Sequence, residues 1–247
     1  MRTVPVRAVS LLAPAKLTLS LRITGVRDDG YHLLDAEMVS LDLADRLSFS
    51  AGDALKMTGA GPDVPLGPEN LVARALDAVG RTAHVRLHKV IPSGAGLGGG
   101  SADAACVLRW ASVSDLSLAA SLGADVPFCL LGGRARVRGV GEVVEPLPVE
   151  ELSGRAWTLL TPPLTVPTSA VYRAWDDLGG PTAAGPNDLE PAALVVAPEL
   201  AVWRDRLGEA TGLVPALAGS GGTWFVEGAF EGEGLVVVRP EAPGVAS

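Results

Sequence analysis

The chain has 247 residues, 48% of them hydrophobic and 19% charged, with a formal net charge of −8. That is a globular composition, long enough for one large or two modest domains with a proper core. The acidic balance argues against nucleic acid as a partner, because a phosphate backbone needs a basic face; it leaves room for a small anionic ligand held by local dipoles and a few lysines.

Arg2 and Arg7 precede "AVSLLAPA", an Ala-x-Ala ending that has the look of a secretory signal. The apolar stretch is very short, however, and "KLTLSLRI" runs on without a break, so the segment reads as mature protein. Leu17, Leu19, Leu21 and Ile23 alternate with polar residues there, the period of a half-buried strand. "GVRDDGYHLL" is a turn built on Asp28, Asp29 and Gly30, and "AEMVSLDLADRLSFS" reads as two more short strands. Asn70 is a good N-cap for "LVARALDAVG", whose Leu71, Ala75, Leu76 and Val79 form an apolar helical stripe. "AHVRLHKVI" is a strand with Val85 and Leu87 inward and His84, Arg86 and His88 outward.

A glycine loop follows, then the helical "SADAACVLRWA", and then "SDLSLAASLG", a shorter helix closed by Gly123. "GRARVRGVGEVVEPL" resumes strand character. Pro146 and Pro148 mark a change of texture near residue 150. Beyond it come strands ("AWTLLTP", "GLVVVRP") and one or two helices, so two successive α+β domains are expected, 1–150 and 151–247. No apolar run approaches a membrane span of roughly 18 residues, so no membrane partner is expected. Cys106 and Cys129 sit among apolar neighbours with no ligand spacing around them. Buried, reduced thiols suit a cytoplasmic location.

Chemistry concentrates in "PSGAGLGGGSADAA", Pro92 to Ala105. Five of the seven residues from Gly94 to Gly100 are glycine. Backbone amides approach an anion closely only where side chains are absent, and a following helix aims its free N–H groups and positive dipole end at that anion. Strand, loop and helix occur here in that order, which predicts a phosphate cradle. The loop is not a Walker A sequence, since no Gly-Lys-Ser/Thr ends it. Gly94, Gly96 and Gly99 match G-x-G-x-x-G, but the motif lies deep in the chain and Asp115 falls at a helix start, which argues against a dinucleotide fold. His84 and His88 share a strand face with Arg86 and no carboxylate, so a solvated face is expected rather than a metal site.

"KVIPSGAGLGGGSADAA" resembles the second motif of the GHMP small-molecule kinases. The likeness extends over most of the chain in order. It includes "APAKLTLSLRITGVRDDGYHLLDAEMVSLDLADRLSF", "ENLVARAL", "SLGADVPFCLLGGRARVRGVGE", "PLTVPTSAVY", "NDLE" and "AGSGGTWFV", the last resembling the third motif. The resemblance implies an N-terminal domain like domain 2 of ribosomal protein S5 and a ferredoxin-like C-terminal domain, with the active site in the cleft between them. The Gly-Tyr-His and Gly-Ala-Asp-Val-Pro-Phe segments point to the branch that uses ATP to phosphorylate the 2-hydroxyl of a cytidine diphosphate-linked methylerythritol in non-mevalonate isoprenoid precursor synthesis. Other small alcohols, of the homoserine or mevalonate type, are the alternative acceptors. A nucleotide-binding homologue without turnover is the alternative outside catalysis.

By the same resemblance, Asp125 is the general base and Lys16 stands beside it, keeping that carboxylate charged and attracting the γ-phosphate. Composition alone would read Asp125 as a solvated loop residue and Lys16 as a strand-edge lysine. Pro92, Gly94, Gly96, Leu97, Gly98, Gly99, Gly100 and Ser101 are expected to hold the ATP phosphates, Ser101 being equally a candidate helix N-cap. Lys89 either reaches the nucleotide or forms a salt bridge at the strand end. Asn70 and Asp103 match adenosine-side positions. Tyr31, His32, Thr168 and Tyr172 match cytidine-side positions, although Tyr172 could equally anchor a core. Gly219, Ser220 and Gly221 would pack against the phosphate site. Magnesium is expected with ATP, which would bring most of its ligands, and no dedicated metal cluster is visible. Three features depart from the family pattern. Thr18 stands where Asn is usual, at a substrate or phosphate contact. The link before Ser121 is short. Gly222 and Trp224 replace smaller or different residues in the third motif.

Overall fold

Two long antiparallel strands, β1 (Val9–Val26) and β2 (His32–Ser50), form the spine of the computed structural model, which describes residues 8–59 and 66–241. Arg2 and Arg7 lie outside the described residues. The two short strands expected after the Asp-Asp-Gly turn are one continuous strand, because β1 pairs with β2 along its whole length, from Val26 opposite His32 to Val9 opposite Phe49. The other edge of β2 is shared. Residues Leu34 to Val39 pair with β5 (Arg134–Gly139), and Arg46 to Ser50 pair with β4 (His84–Lys89).

Strand β3 (Ala54–Gly59) lies parallel to β4, with helix α1 (Leu71–Ala78) between them in sequence; β6 (Val143–Leu147) closes the other side of β5. These six strands make one sheet. Helices α2 (Gly99–Trp110), α3 (Leu116–Leu122) and α4 (Val126–Leu131) pack together, α2 also meeting α1 and both long strands. Asn70 caps α1 as expected, accepting from the Val72 amide at 2.8 Å. Helix α4 is not visible in the sequence pattern, since Pro127 sits inside its first turn, where proline is tolerated. The short α2–α3 link turns at Ser112, which has a φ of 58°.

A second, four-stranded sheet has the order β10 (Leu235–Val238), β7 (Trp157–Leu160), β9 (Trp224–Glu227), β8 (Ala216–Leu217), entirely antiparallel. Three helices, not one or two, lie between β7 and β8: α5 (Thr168–Asp177), α6 (Glu190–Val196) and α7 (Leu200–Thr211). The segment before α6 crosses to the first sheet, where Leu21 bridges Asn187 and Asp188 binds Arg22 at 2.7 Å. Apolar burial is continuous across the two halves, running from Phe49 and Phe128 through Leu21 to Leu160 and Trp224. His88 is exposed on β4, as expected; the His84 ring is half-buried and its Nε2 is shut off from solvent, so that part of the strand face is not fully solvated. No helix among the described residues is long and apolar enough to cross a membrane.

Candidate active site

Register irregularities in β1, between Pro14 and Lys16 and again between Thr18 and Ser20, change how its side chains face. Ala15 and Leu17 join an apolar cluster with Leu97 and Ala218. Lys16 and Thr18, two residues apart and therefore on one face, are buried at 5% and 2% exposure; Lys16 lines a cleft of about 550 Å³, and Thr18 stands behind it. Lys16 Nζ donates to Thr18 Oγ1 at 3.0 Å and lies 3.3 Å from Asp125 Oδ2. Asp125 occupies the N-cap position of α4 but makes no capping bond with its side chain, so its carboxylate is free to serve the cleft.

The glycine loop closes over the same cleft. Lys16 N donates to Leu97 O at 2.9 Å, which fastens the loop to β1. Gly98 has a φ of 68°, and a Cβ there would come within 2.7 Å of Lys16 Cγ. A Cβ at Gly96 would collide with the carbonyls of Ala218 and Gly221, which is how closely the Gly219–Gly222 loop is stacked on the first. Helix α2 begins at Gly99, with Gly98 as its N-cap. Ser101 is consequently the third residue of the helix rather than its cap. The glycines need their unusual backbone conformation just before it, and the helix starts as soon as that need ends.

Lys89 forms the salt bridges expected of a strand end, and it also lines the cleft. It is buried at the end of β4 and donates to Asp45 and to Asp103 Oδ2, the latter at 2.8 Å. Burial disfavours its charge, but the two carboxylates more than offset this and hold its pKa above the ordinary lysine value. One ammonium cannot serve two buried carboxylates equally. Burial therefore pushes Asp103 up to about 7, against the pull of Lys89 and with help from the Asp45 charge.

Pro92, Gly94, Gly96, Leu97, Gly98, Gly99, Gly100 and Ser101 all line the cleft, as do Asn70, Lys89, Asp103, Thr168 and Tyr172. Thr168 and Ser220 hydroxyls meet at 2.9 Å across its mouth. Burial, with the nearby Asp125 charge, raises the Tyr172 phenol well above its usual range. His32 does not line the cleft directly; its ring packs 4.8 Å from Tyr172 and 5.4 Å from Trp175, and its Nε2 meets Asp176 at 2.8 Å. Tyr31, just after the turn at Gly30, is 63% exposed and does not line the cleft.

Sequence reasoning missed two supporting residues. Asp45 is fully buried at the loop entrance. Asn187 donates to the carbonyls of Leu217 and Gly219, at 2.8 and 2.6 Å, and so holds the second loop. For Asp45 the only sequence signal is a polar residue between the apolar Leu43 and Leu47, and for Asn187 it is its place in the "NDLE" segment of the family resemblance.

The GHMP kinases N-terminal domain matches residues 70–133, which contain the glycine loop and Asp125. A 4-diphosphocytidyl-2-C-methyl-D-erythritol kinase of Cereibacter sphaeroides is 40% identical over 264 residues, covering 94% of this chain and 93% of its own. One from Dinoroseobacter shibae is 40% identical, covering 91% and 86%. A solved 4-(cytidine 5'-diphospho)-2C-methyl-D-erythritol kinase superposes with a TM-score of 0.69 at 40% identity, covering 88% of this chain and 89% of that one. Homoserine kinase from Cytophaga hutchinsonii shares the fold at a TM-score of 0.63 and 17% identity, covering 98% of each chain. The fold is that of the GHMP kinases, small-molecule phosphotransferases of mixed α and β content. Within them, the chain belongs to the 4-diphosphocytidyl-2-C-methyl-D-erythritol kinase family.

Proposed function

We propose that this chain transfers the γ-phosphoryl group of ATP to the 2-hydroxyl of 4-diphosphocytidyl-2-C-methyl-D-erythritol, in isoprenoid precursor synthesis by the non-mevalonate route. The observation that carries the reading is the Lys16–Asp125 pair, 3.3 Å apart beside the glycine loop. Asp125 takes the proton of the attacking hydroxyl, whose oxygen forms the new bond to phosphorus as the bond to the ADP oxygen breaks. Lys16 sits where it both orients Asp125 and faces the transferring group. A carboxylate so paired is a modest base, so alignment of the hydroxyl is the larger part of its task.

Free amides of the loop and of the α2 N-terminus receive the phosphates, with Ser101 beside them. Asn70 and Asp103 serve the adenosine side. Thr168, Tyr172 and His32 serve the cytidine end, and Tyr31 joins them only if the turn at Gly30 brings its ring inward. Thr18, engaged by Lys16, acts on the acceptor side through that lysine. Magnesium, when bound with ATP, neutralises charge on the phosphates. Hard cations take oxygen ligands, and the Ser101 hydroxyl on the cleft wall would fit a metal that arrives on the triphosphate. No group of three or more His, Cys, Asp or Glu residues among the described residues forms a metal cage of its own.

We also read residues 1–150 as the ATP-binding domain, like domain 2 of ribosomal protein S5, and residues 151–247 as a ferredoxin-like domain. The separation of strands 9–147 and 157–238 into two sheets supports this. The acidic charge supports a protein without nucleic-acid partners, and the buried free cysteines support a cytoplasmic one.

The deciding experiment is magnesium-dependent ADP release from ATP with the cytidylyl substrate, beside homoserine and mevalonate. Release with the cytidylyl substrate alone is expected. Release with another alcohol instead would reassign the acceptor, and ATP binding with silence from all three would point to a homologue without turnover.

A further inference from the structure

Asp45 lies where the shared edge of β2 changes partner. β5 pairs with residues up to Val39, β4 pairs from Arg46 onward, and Asp45 falls in the gap just before the second pairing. Its side chain takes over the work of the missing ladder. Oδ1 accepts from the amides of Val90 and Ile91, at 2.5 and 2.9 Å, and Oδ2 accepts from Lys89 Nζ. Three consecutive residues, the last before the glycine loop, are thus fixed by one carboxylate with no exposure to solvent.

Lys89 carries the restraint onward. Its Nζ stands only 3.1 Å from where a Cβ on Gly99 would be, directly under the first turn of α2, and it also donates to Asp103 Oδ2. Asp103 is 3% exposed and belongs to the cleft wall, and its second oxygen, Oδ1, is shut off from solvent with no hydrogen-bond partner. A buried carboxylate oxygen without a donor is costly, and such oxygens are rare in folded proteins. At the wall of a ligand cleft, a donor brought by the ligand removes that cost.

We propose that Asp45 is a positioning residue of the nucleotide site: by sharing Lys89 it keeps Asp103 Oδ1 uncommitted, so that this oxygen accepts a hydrogen bond from an N–H or O–H of the nucleoside part of ATP. The inference rests on the reading that the cleft takes ATP. Its new content is that nucleoside selection is set by a residue of β2 that does not touch the ligand.

Asp45→Asn tests it in the full chain. The amide oxygen still serves Val90 and Ile91, but its NH2 then faces the lysine ammonium, donor against donor. Lys89 turns wholly to Asp103, and the free oxygen is consumed. Measured at pH 8, where Asp103 is ionised, the equilibrium Kd for ATP is expected to rise about tenfold, the loss of one hydrogen bond to a charged group, while kcat at saturating ATP stays within about twofold. An unchanged Kd overturns the proposal, as does a fall in kcat without a change in Kd.

Should the variant lose its cooperative melting transition, the unaltered protein still decides the matter. ATP is compared with 2'-deoxy-ATP, 3'-deoxy-ATP and the triphosphate of purine riboside, which lacks the adenine amino group. At least one is expected to bind about tenfold more weakly than ATP. Equal affinity for all four overturns the proposal. Because these are binding measurements made without the acceptor, they stand even if turnover of the cytidylyl substrate fails.

Discussion

Asn187 Nδ2 donates to the carbonyl oxygen of Gly219 at 2.6 Å, joining the segment that crosses to β1 to the loop stacked on the glycine loop. The same nitrogen serves Leu217 O, and the Asn187 oxygen accepts from Leu189 N. Replacement by alanine strands two buried carbonyls, each worth roughly 1–3 kcal/mol. Asn187→Ala is expected to lower stability by about 2–4 kcal/mol and to raise the KM for ATP. Urea melts and steady-state kinetics check both, and a variant as stable as the parent would remove Asn187 from this role.

Asp125 should separate chemistry from binding. Asp125→Asn keeps the shape of the side chain and an oxygen facing Lys16, but it cannot accept a proton at neutral pH. Turnover is expected to fall by about 10²–10⁴, with the Kd for ATP changed by less than about threefold. Rapid-quench turnover and ATP titration read the two quantities separately. Undiminished turnover would end the general-base assignment.

How much of this site could be read from the sequence depended on whether the signal was local. The glycine loop was legible because five glycines in seven residues have few structural uses, and the strand before it and the helix after it both have clean periods. Asn70, Asp115 and Gly123 end their helices where capping chemistry expects them to. Only the alternative reading of Ser101 as a helix cap fails, because the backbone turn demanded at Gly98 makes that glycine the cap. The length of β2 was missed because its polar residues Asp42 and Asp45 look like breaks, and only the unbroken pairing with β1 carries the strand through them. Asp45 and Asn187 were invisible for the same reason. Each acts on a segment tens of residues away, and nothing in the local pattern records that partner. Tyr31 and His32 are adjacent in sequence, yet one is exposed and the other packs on α5, a split that depends on the turn at Gly30.

Thr18 is the departure from the family pattern with the clearest geometry. Its hydroxyl accepts from Lys16 Nζ at 3.0 Å, the same nitrogen that lies 3.3 Å from Asp125 Oδ2. Thr18→Val keeps the branched shape but removes the acceptor, and kcat is expected to fall about tenfold as Lys16 loses its anchor. Thr18→Asn restores an acceptor oxygen and is expected to retain activity within about threefold. Equal kcat for the threonine and valine forms would leave Thr18 a packing residue only.

The two cysteines offer a test of the core. Burial pushes the Cys106 thiol up to about 12 and the Cys129 thiol up to about 12, so neither forms an appreciable thiolate at neutral pH. Native protein at pH 8 is expected to resist a thiol reagent for as long as it stays folded, and both thiols should react once urea unfolds it. Prompt labelling of the native chain would mean that the contact between α2 and α4 opens far more readily than its burial implies.

Asp103 makes stability depend on pH with a definite sign. Its folded pKa, about 7, lies above the value near 3.9 of an unfolded aspartate. Between those values the native state holds a proton that the unfolded state has released, so stability falls as pH rises toward 7 and levels off above it. Lys89 does not titrate in that window, since its pKa lies above the ordinary lysine value. Asp103→Asn removes the titrating group while keeping its size. Urea melts of both proteins at pH 5, 6, 7 and 8 should show the original chain losing about 2–3 kcal/mol relative to the variant across the series, most of it below pH 7. A difference that stays constant would mean that Lys89 keeps both carboxylates ionised throughout, and one that grows in favour of aspartate would reverse the balance of burial and attraction argued for this cluster.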